Sequence, residues 1–206
     1  MPRAMWIEPD IVDMTAASNM LDRKGTRPAT DINAVILHQI ADDRGSEPMQ
    51  YKNTRAHFVV TKTGIIIQLH PVETMLWASN AFNKVGVAVE FAGHFATEKG
   101  VWWKGNKAHN IPTNVQIEAG RELVLFLYMK HGIKNVYAHR QGYLPEGGYQ
   151  SGAVNQRSNC PGPDIWYGVG EWAKSNLSLG DGGKGYKLGN GTAIPDSWRT
   201  QRVPTF

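Results

Sequence analysis

An α/β domain, with a mixed central β-sheet flanked by helices, is the fold class this sequence predicts, and three observations carry the prediction. Short β-branched runs recur at Ala34–Leu37, His57–Thr61, Ile65–Leu69 and Val85–Phe91. One stretch, 113–131, sets apolar residues at helical spacing between a capping signal and a glycine. Strand-like and helix-like segments then alternate loosely instead of separating into two halves.

Residues 1–30 lack a clear period and read as an N-terminal extension. Ala34-Val35-Ile36-Leu37 is a buried strand that delivers His38 at its C-terminal end. His57–Thr61 and Ile65–Leu69 flank Lys62-Thr63-Gly64 and read as a β-hairpin turned by Gly64. In the strand Val85–Phe91, alternation puts Val87, Val89 and Phe91 on one face and Ala88, Glu90 and Ala92 on the other. A carboxylate between two alanines suggests the open floor of a groove. Thr113 followed by Gln116 matches a capping box, and Ile117, Leu123, Val124 and Leu127 lead to Gly132, so a helix is expected over 113–131. Val136–Ala138 is a short strand ending at His139, and Asp164–Lys174 forms a last helix. These elements define one domain over 31–174, followed by a Gly-rich tail or surface-hugging arm over 175–206.

At 206 residues and 41% hydrophobic content, the chain can bury one sizeable core. The net charge of +4 suits an anionic partner such as a cell-wall polymer, a phospholipid surface or nucleic acid. The basic residues are scattered, with no arginine-rich run or basic helix, which ranks nucleic acid lowest. Met1–Asp10 carries acidic residues and prolines where a secretory signal would carry an apolar stretch, and no run reaches membrane-spanning length. The expectation is a chain made in the cytoplasm without a signal peptide or a membrane-inserted segment.

Cys160 is the only cysteine, held in Asn159-Cys160-Pro161-Gly162-Pro163. With no second thiol it is a small core residue, a nucleophile or a metal ligand. His38 and His139 at strand ends are the ligand types that, with Cys160, would hold zinc through three protein groups and keep a fourth position open. The spacing from 38 to 139 to 160 is too long to decide the matter.

Val35-Ile36-Leu37-His38, Ala56-His57-Phe58-Val59-Val60 with Lys62-Thr63-Gly64, Gly86-Val87-Ala88-Val89-Glu90-Phe91-Ala92-Gly93, Pro112-Thr113-Asn114-Val115-Gln116, Ala138-His139-Arg140 and Cys160-Pro161-Gly162-Pro163 occur in one order. In this order, over roughly 33–172, the chain resembles the zinc-dependent N-acetylmuramoyl-L-alanine amidases. That group includes phage lysozyme-amidases, bacterial anhydromuramyl-peptide amidases and animal peptidoglycan recognition proteins. The resemblance implies Zn2+ bound by His38, His139 and Cys160, and it implies Glu90 as the base that serves hydrolysis of the amide between N-acetylmuramic acid and L-alanine. Where phage and animal members place a tyrosine this chain has Ala56, which favours the glutamate. Where many bacterial and phage members place an oxyanion-stabilising lysine it has Ser158, a hydroxyl donor as in animal members, with Arg157 beside it as an alternative positive charge. The histidine that follows the motif tryptophan is absent, because Trp77 precedes Ala78 and Ser79.

Further substrate contacts are expected from Tyr51, Asn53 and Arg55 at the groove rim, and from Trp102 as a sugar-stacking platform. His57 is expected to be buried and hydrogen-bonded, while surface or capping roles suffice for His70, His94, His109 and His131. The implied function is a wall-lytic amidase, an endolysin or a secreted effector, acting as a monomer on peptidoglycan or muropeptides after lysis or non-classical export. The alternatives are a recognition module that binds without cutting and a cytosolic recycling amidase.

Overall fold

The computed structural model describes residues 7–95, 101–103, 106–107, 111–142, 159–189 and 191–200. In chain order the strands are β1 (Ile11–Asp13), β2 (Arg23–Thr26), β3 (Ala34–Gln39), β4 (Phe58–Val60), β5 (Ile66–Gln68), β6 (Thr74–Leu76), β7 (Gly86–Phe91), β8 (Val101–Trp103), β9 (Asn106–Lys107) and β10 (Asn135–Ala138). Helix α1 spans Asn114–His131. Helix α2 has α-helical ends, Pro163–Ile165 and Trp172–Leu177, around a π-helical middle, Trp166–Glu171.

Six strands form the main sheet in the order β1-β5-β4-β7-β3-β10. The hairpin pair β4 and β5 is antiparallel, while β4, β7, β3 and β10 run parallel to their neighbours, as does β1 to β5. The sheet is therefore mixed. Every residue of β3 is buried, as expected for a central parallel strand covered on both faces.

One face of the sheet carries Val35, Leu37, Val87, Val89 and Phe91 into the largest core, where they meet Leu123, Val124 and Leu127 of α1 and Ile165, Trp166, Val169 and Ala173 of α2. Both helices thus share this face. Gly120 permits the contact: a Cβ there would sit 2.6 Å from the Phe91 ring, so only glycine lets α1 lie this close to β7. Thr113 caps α1 by accepting the Gln116 N–H at 3.1 Å. Gln116 does not return the capping-box bond, because its Nε2 donates to the carbonyls of Val60 and Ala92 at 3.0 and 2.9 Å. Those carbonyls lie at the end of the sheet, and a buried unpaired carbonyl costs more than a missing cap bond.

The opposite face holds two smaller apolar clusters, Ala34, Ile36, Phe82 and Tyr137 at one end and Tyr51, Val59, Ile67, Leu69 and Ala92 at the other. His38 and Glu90 share this face. The alanines expected to floor a groove are covered, Ala88 at 1% and Ala92 at 0% exposure, whereas the Glu90 side chain keeps 17%. The opening is therefore confined to the strand ends.

The folded unit is longer than the predicted 31–174. Residues 11–13 add the parallel edge strand β1, and β2 pairs with β6. After α2 the chain bridges Gly180 to Asn135 and Leu188 to Gly142, then buries Ile194 and Trp198 in the main core. Of the two readings of this segment, tail or arm, its glycine-rich composition could not choose, because its apolar anchors are few and far apart in sequence. Among the described residues no helix is long and apolar enough to cross a membrane.

Trp198 is fully buried, so Trp198→Ala is expected to lower unfolding free energy by about 3–5 kcal/mol in urea titrations, an effect that a loosely attached tail would not produce.

Candidate metal centre

Parallel pairing builds the centre. Strands β7, β3 and β10 lie side by side in one direction, so their C-terminal ends open at the same edge of the sheet. His38 is the penultimate residue of β3, Glu90 is the penultimate residue of β7 and pairs with it, and His139 directly follows β10. Ligand sites of open α/β sheets collect at this carboxyl edge. Cys160 arrives from the turn that precedes α2.

The ligand atoms of His38, His139 and Cys160 all lie within 4.8 Å of one another, and the residues are 1%, 8% and 4% exposed. Zinc bonds nitrogen at about 2.0–2.1 Å and thiolate at about 2.3 Å, so tetrahedral donors sit roughly 3.3–3.8 Å apart. A small inward movement of side chains closes the difference, and the two-imidazole, one-thiolate donor set suits that ion. Glu90 supplies a second observation of fit. Its Oε1 lies 3.8 Å from His38 Nδ1, and its buried Oε2 has no hydrogen-bond partner among the described residues. Burial pushes the carboxyl up to about 8, with the Arg44 guanidinium pulling the other way. A cation between the ligands would compensate the buried carboxylate and lower that value.

Each ligand is held from behind. His38 Nε2 lies 2.9 Å from Ser79 Oγ, and His139 Nε2 lies 2.9 Å from Asn80 Nδ2. The Gln39 backbone N–H donates to Cys160 Sγ at 3.3 Å, a contact that favours thiolate. The Gln39 side chain donates to the Pro161 carbonyl at 2.8 Å and accepts the Phe95 N–H at 2.9 Å, which staples the cysteine turn to the sheet. Arg140 N–H donates to the Cys160 carbonyl at 3.0 Å and joins two of the ligand segments. Sequence reading missed Ser79, Asn80 and Gln39. Gln39 carried one usable signal, its place beside His38 on a strand end, while Ser79 and Asn80 carried none.

Tyr51 is fully buried and its hydroxyl donates to the Gly45 carbonyl at 2.7 Å, so it stands beneath the surface and not on a groove rim. Its large apolar ring fills the cluster over β4 and β5. Asn53 is exposed in a turn, and Arg55 pairs with Asp22 at 2.9 Å. The side chains of Trp102, Arg157 and Ser158 lie outside the described residues. His57 is buried, with Nδ1 accepting the Ala88 N–H at 3.0 Å and Nε2 donating to the Thr74 carbonyl at 2.8 Å. His70, expected at the surface, is fully buried instead, because Arg23 Nε donates to its Nδ1 at 3.2 Å and draws the ring inward.

A family model described as N-acetylmuramoyl-L-alanine amidase matches residues 28–163. No curated protein matches the chain in sequence. Among solved structures, the endolysin N-acetylmuramoyl-L-alanine amidase LysCS from Clostridium intestinale aligns at TM-score 0.57 and 17% identity, covering 85% of this chain and 99% of that one. The Drosophila peptidoglycan recognition protein SA aligns at 0.56 and 13% identity, covering 80% and 92%. Peptidoglycan recognition protein LE, solved with tracheal cytotoxin, aligns at 0.53 and 13% identity, covering 83% and 96%. At these identities the likeness to the solved structures concerns the fold.

Burial pulls the His57 imidazole down to about 3, with Arg27 adding to the shift. Its folded value lies below the unfolded value of about 6.5, so the unfolded chain binds the extra proton between them and stability falls as pH drops from about 6.5 toward 3. Urea titrations across that window are expected to show this slope, and His57→Gln is expected to flatten it in part, since His70 is lowered in the same sense.

Proposed function

The chain belongs to the N-acetylmuramoyl-L-alanine amidase family, and from that membership we propose that it is a zinc hydrolase that cuts the amide between N-acetylmuramic acid and the L-alanine of the peptidoglycan stem. The observation that carries this reading is the meeting of His38, His139 and Cys160 within 4.8 Å, beside a half-buried glutamate on the adjoining strand. These three side chains would hold a zinc ion, which would supply Lewis acidity to the amide carbonyl and acidify a water molecule.

Glu90 is the proposed base, on the support of its position 3.8 Å from His38. Its carboxylate takes a proton from the attacking water as the oxygen bonds to the amide carbon, and it returns that proton to the alanine nitrogen as the C–N bond breaks. A base with a pKa near the working pH performs both halves best; burial raises Glu90 to about 8, and a cation beside it would lower that value. Ser79, Asn80 and Gln39 keep the ligand side chains turned toward the opening. Ser158, with Arg157 as the alternative, is proposed as the donor to the oxyanion.

The excess of four positive charges favours an anionic polymer as substrate, which supports action on the intact wall after lysis or non-classical export over recycling of soluble fragments. Activity on whole sacculi well above activity on soluble anhydro-muropeptides is the expected outcome, and the reverse ranking would assign the recycling role.

Glu90→Gln is expected to lower muropeptide hydrolysis by about 10²–10⁴-fold while metal analysis finds zinc content unchanged. Undiminished turnover in this variant would sink the proposed role of Glu90. Removing zinc with a chelator is expected to abolish hydrolysis, and adding zinc to restore it. Cys160→Ser is expected to lose both metal and activity.

A further inference from the structure

Two adjacent residues meet both histidines of the centre. Ser79 Oγ lies 2.9 Å from His38 Nε2, and Asn80 Nδ2 lies 2.9 Å from His139 Nε2. Asn80 does this from a left-handed backbone, φ 53°, a conformation that side chains other than glycine adopt rarely and asparagine tolerates best. The surrounding fold enforces that conformation. Ser79 N–H donates to Asn83 Oδ1 at 2.7 Å and Ala81 N–H donates to the Gly142 carbonyl at 2.8 Å. Phe82 stacks on Tyr137 with ring centroids 4.6 Å apart, and Tyr137 stacks on Tyr186 at 5.4 Å. Gly142 completes the seat, because a Cβ there would collide with the Phe82 ring.

We propose that Ser79 and Asn80 are positioning residues that present Nδ1 of His38 and of His139 to the metal. The inference rests on the metal-centre reading above. His38 Nδ1 faces Glu90 at 3.8 Å, inside the site, while Nε2 of each histidine is turned toward the 79–80 turn. A histidine that gives Nδ1 to a metal carries its proton on Nε2 and needs an acceptor there. Ser79 Oγ is such an acceptor for His38. The Asn80 amide serves His139 in either state. Its Nδ2 lies against Nε2 and donates there when the ring proton is on Nδ1, and with the amide turned about, its Oδ1 would accept from Nε2–H once Nδ1 binds metal. One short turn thereby sets the tautomer and the ring direction of both ligands.

Substitutions at 79 and 80 in the full-length protein test this through metal affinity, with Co2+ titrated by its visible absorption and Zn2+ by competition against a chelating dye. Asn80→Gly keeps the left-handed backbone and removes the amide, so metal affinity is expected to fall about 10–100-fold while the melting temperature of the metal-free protein stays level or rises. Asn80→Asp, which only accepts from Nε2–H, is expected to retain wild-type affinity or exceed it. Ser79→Ala is expected to weaken binding to a similar extent. Wild-type affinity in Asn80→Gly, or equal losses in Asn80→Gly and Asn80→Asp, would overturn the proposal. Failure of the wild-type chain itself to bind Co2+ or Zn2+ would overturn the metal-centre reading instead.

Discussion

The register between β3 and β7 is the constraint on which the site depends. Pairing His38 with Glu90 sets both side chains on the same face, and the parallel direction brings both to the same end of the sheet. A slip of one residue would turn His38 into the apolar layer under α1 and α2, and would expose Leu37 or Gln39 in its place. Val35, Leu37, Val87, Val89 and Phe91 forbid that slip, because all five are buried in the helix-covered core. Apolar packing on one face therefore fixes the chemistry on the other. The third parallel strand, β10, extends the logic by pairing Ala138 with Leu37, so that His139 emerges beside His38 with ring centroids 4.2 Å apart.

A polar site on a buried face needs compensation, and the N-terminal segment provides much of it. Arg27 is almost wholly buried, and its guanidinium donates to the carbonyls of Asn83 and Val72 at 2.7 and 3.0 Å. Desolvation lowers Arg27 to about 10, which leaves it charged at neutral pH. That charge, close to the His57 ring, helps to keep the histidine neutral, and the neutral ring satisfies the Ala88 N–H of β7. Asn83 in turn fixes Ser79. A residue outside the strands thus connects the hairpin, the central strand and the turn that supports the ligands.

Much of this was legible in the sequence, and the reason differs from element to element. The alternation Val87, Val89, Phe91 against Ala88, Glu90, Ala92 is a local property of one strand, and the structure keeps it. Gly64 in the hairpin turn, with φ 85°, and Gly132 at the end of α1, with φ 64°, are likewise local demands that only a few residue types meet. His38, His139 and Cys160 were readable as a candidate group through the resemblance of their motifs, since residue type and spacing alone left the matter open, and the structure brings the three side chains together. Ser79 and Asn80 were not, since any small polar side chain can fill such a place and their partners lie 41 and 59 positions away. Tyr51 failed for the opposite reason. A tyrosine suits a rim or a core equally, and only the packing of Val59, Ile67 and Leu69 over it decides. The sequence pattern marked 31–174 because strand β1 is only three residues long and the last arm is anchored by isolated residues.

That arm bears on the site more directly than its composition suggests. The turn His139–Gln141 carries one of the three candidate ligands, and a side chain on a short turn keeps its direction only if both sides of the turn are held. On the sheet side, Gln141 Oε1 accepts the Ala138 N–H at 2.9 Å. On the other side the arm supplies further ties. Gln141 Nε2 donates to the carbonyls of Asp181 and Tyr186 at 3.1 and 3.3 Å, the Leu188 N–H donates to the Gln141 carbonyl at 2.7 Å, and the Thr192 N–H donates to the Arg140 carbonyl at 2.7 Å. The Arg140 guanidinium lies over the Trp198 ring, 4.3 Å from its centroid. Tyr186 also stacks on Tyr137, which backs Phe82 and so the turn that meets both histidines. The arm therefore reaches His139 twice, once through its own turn and once through Asn80, and burial of Trp198 in the main core ties both routes to the global stability of the fold.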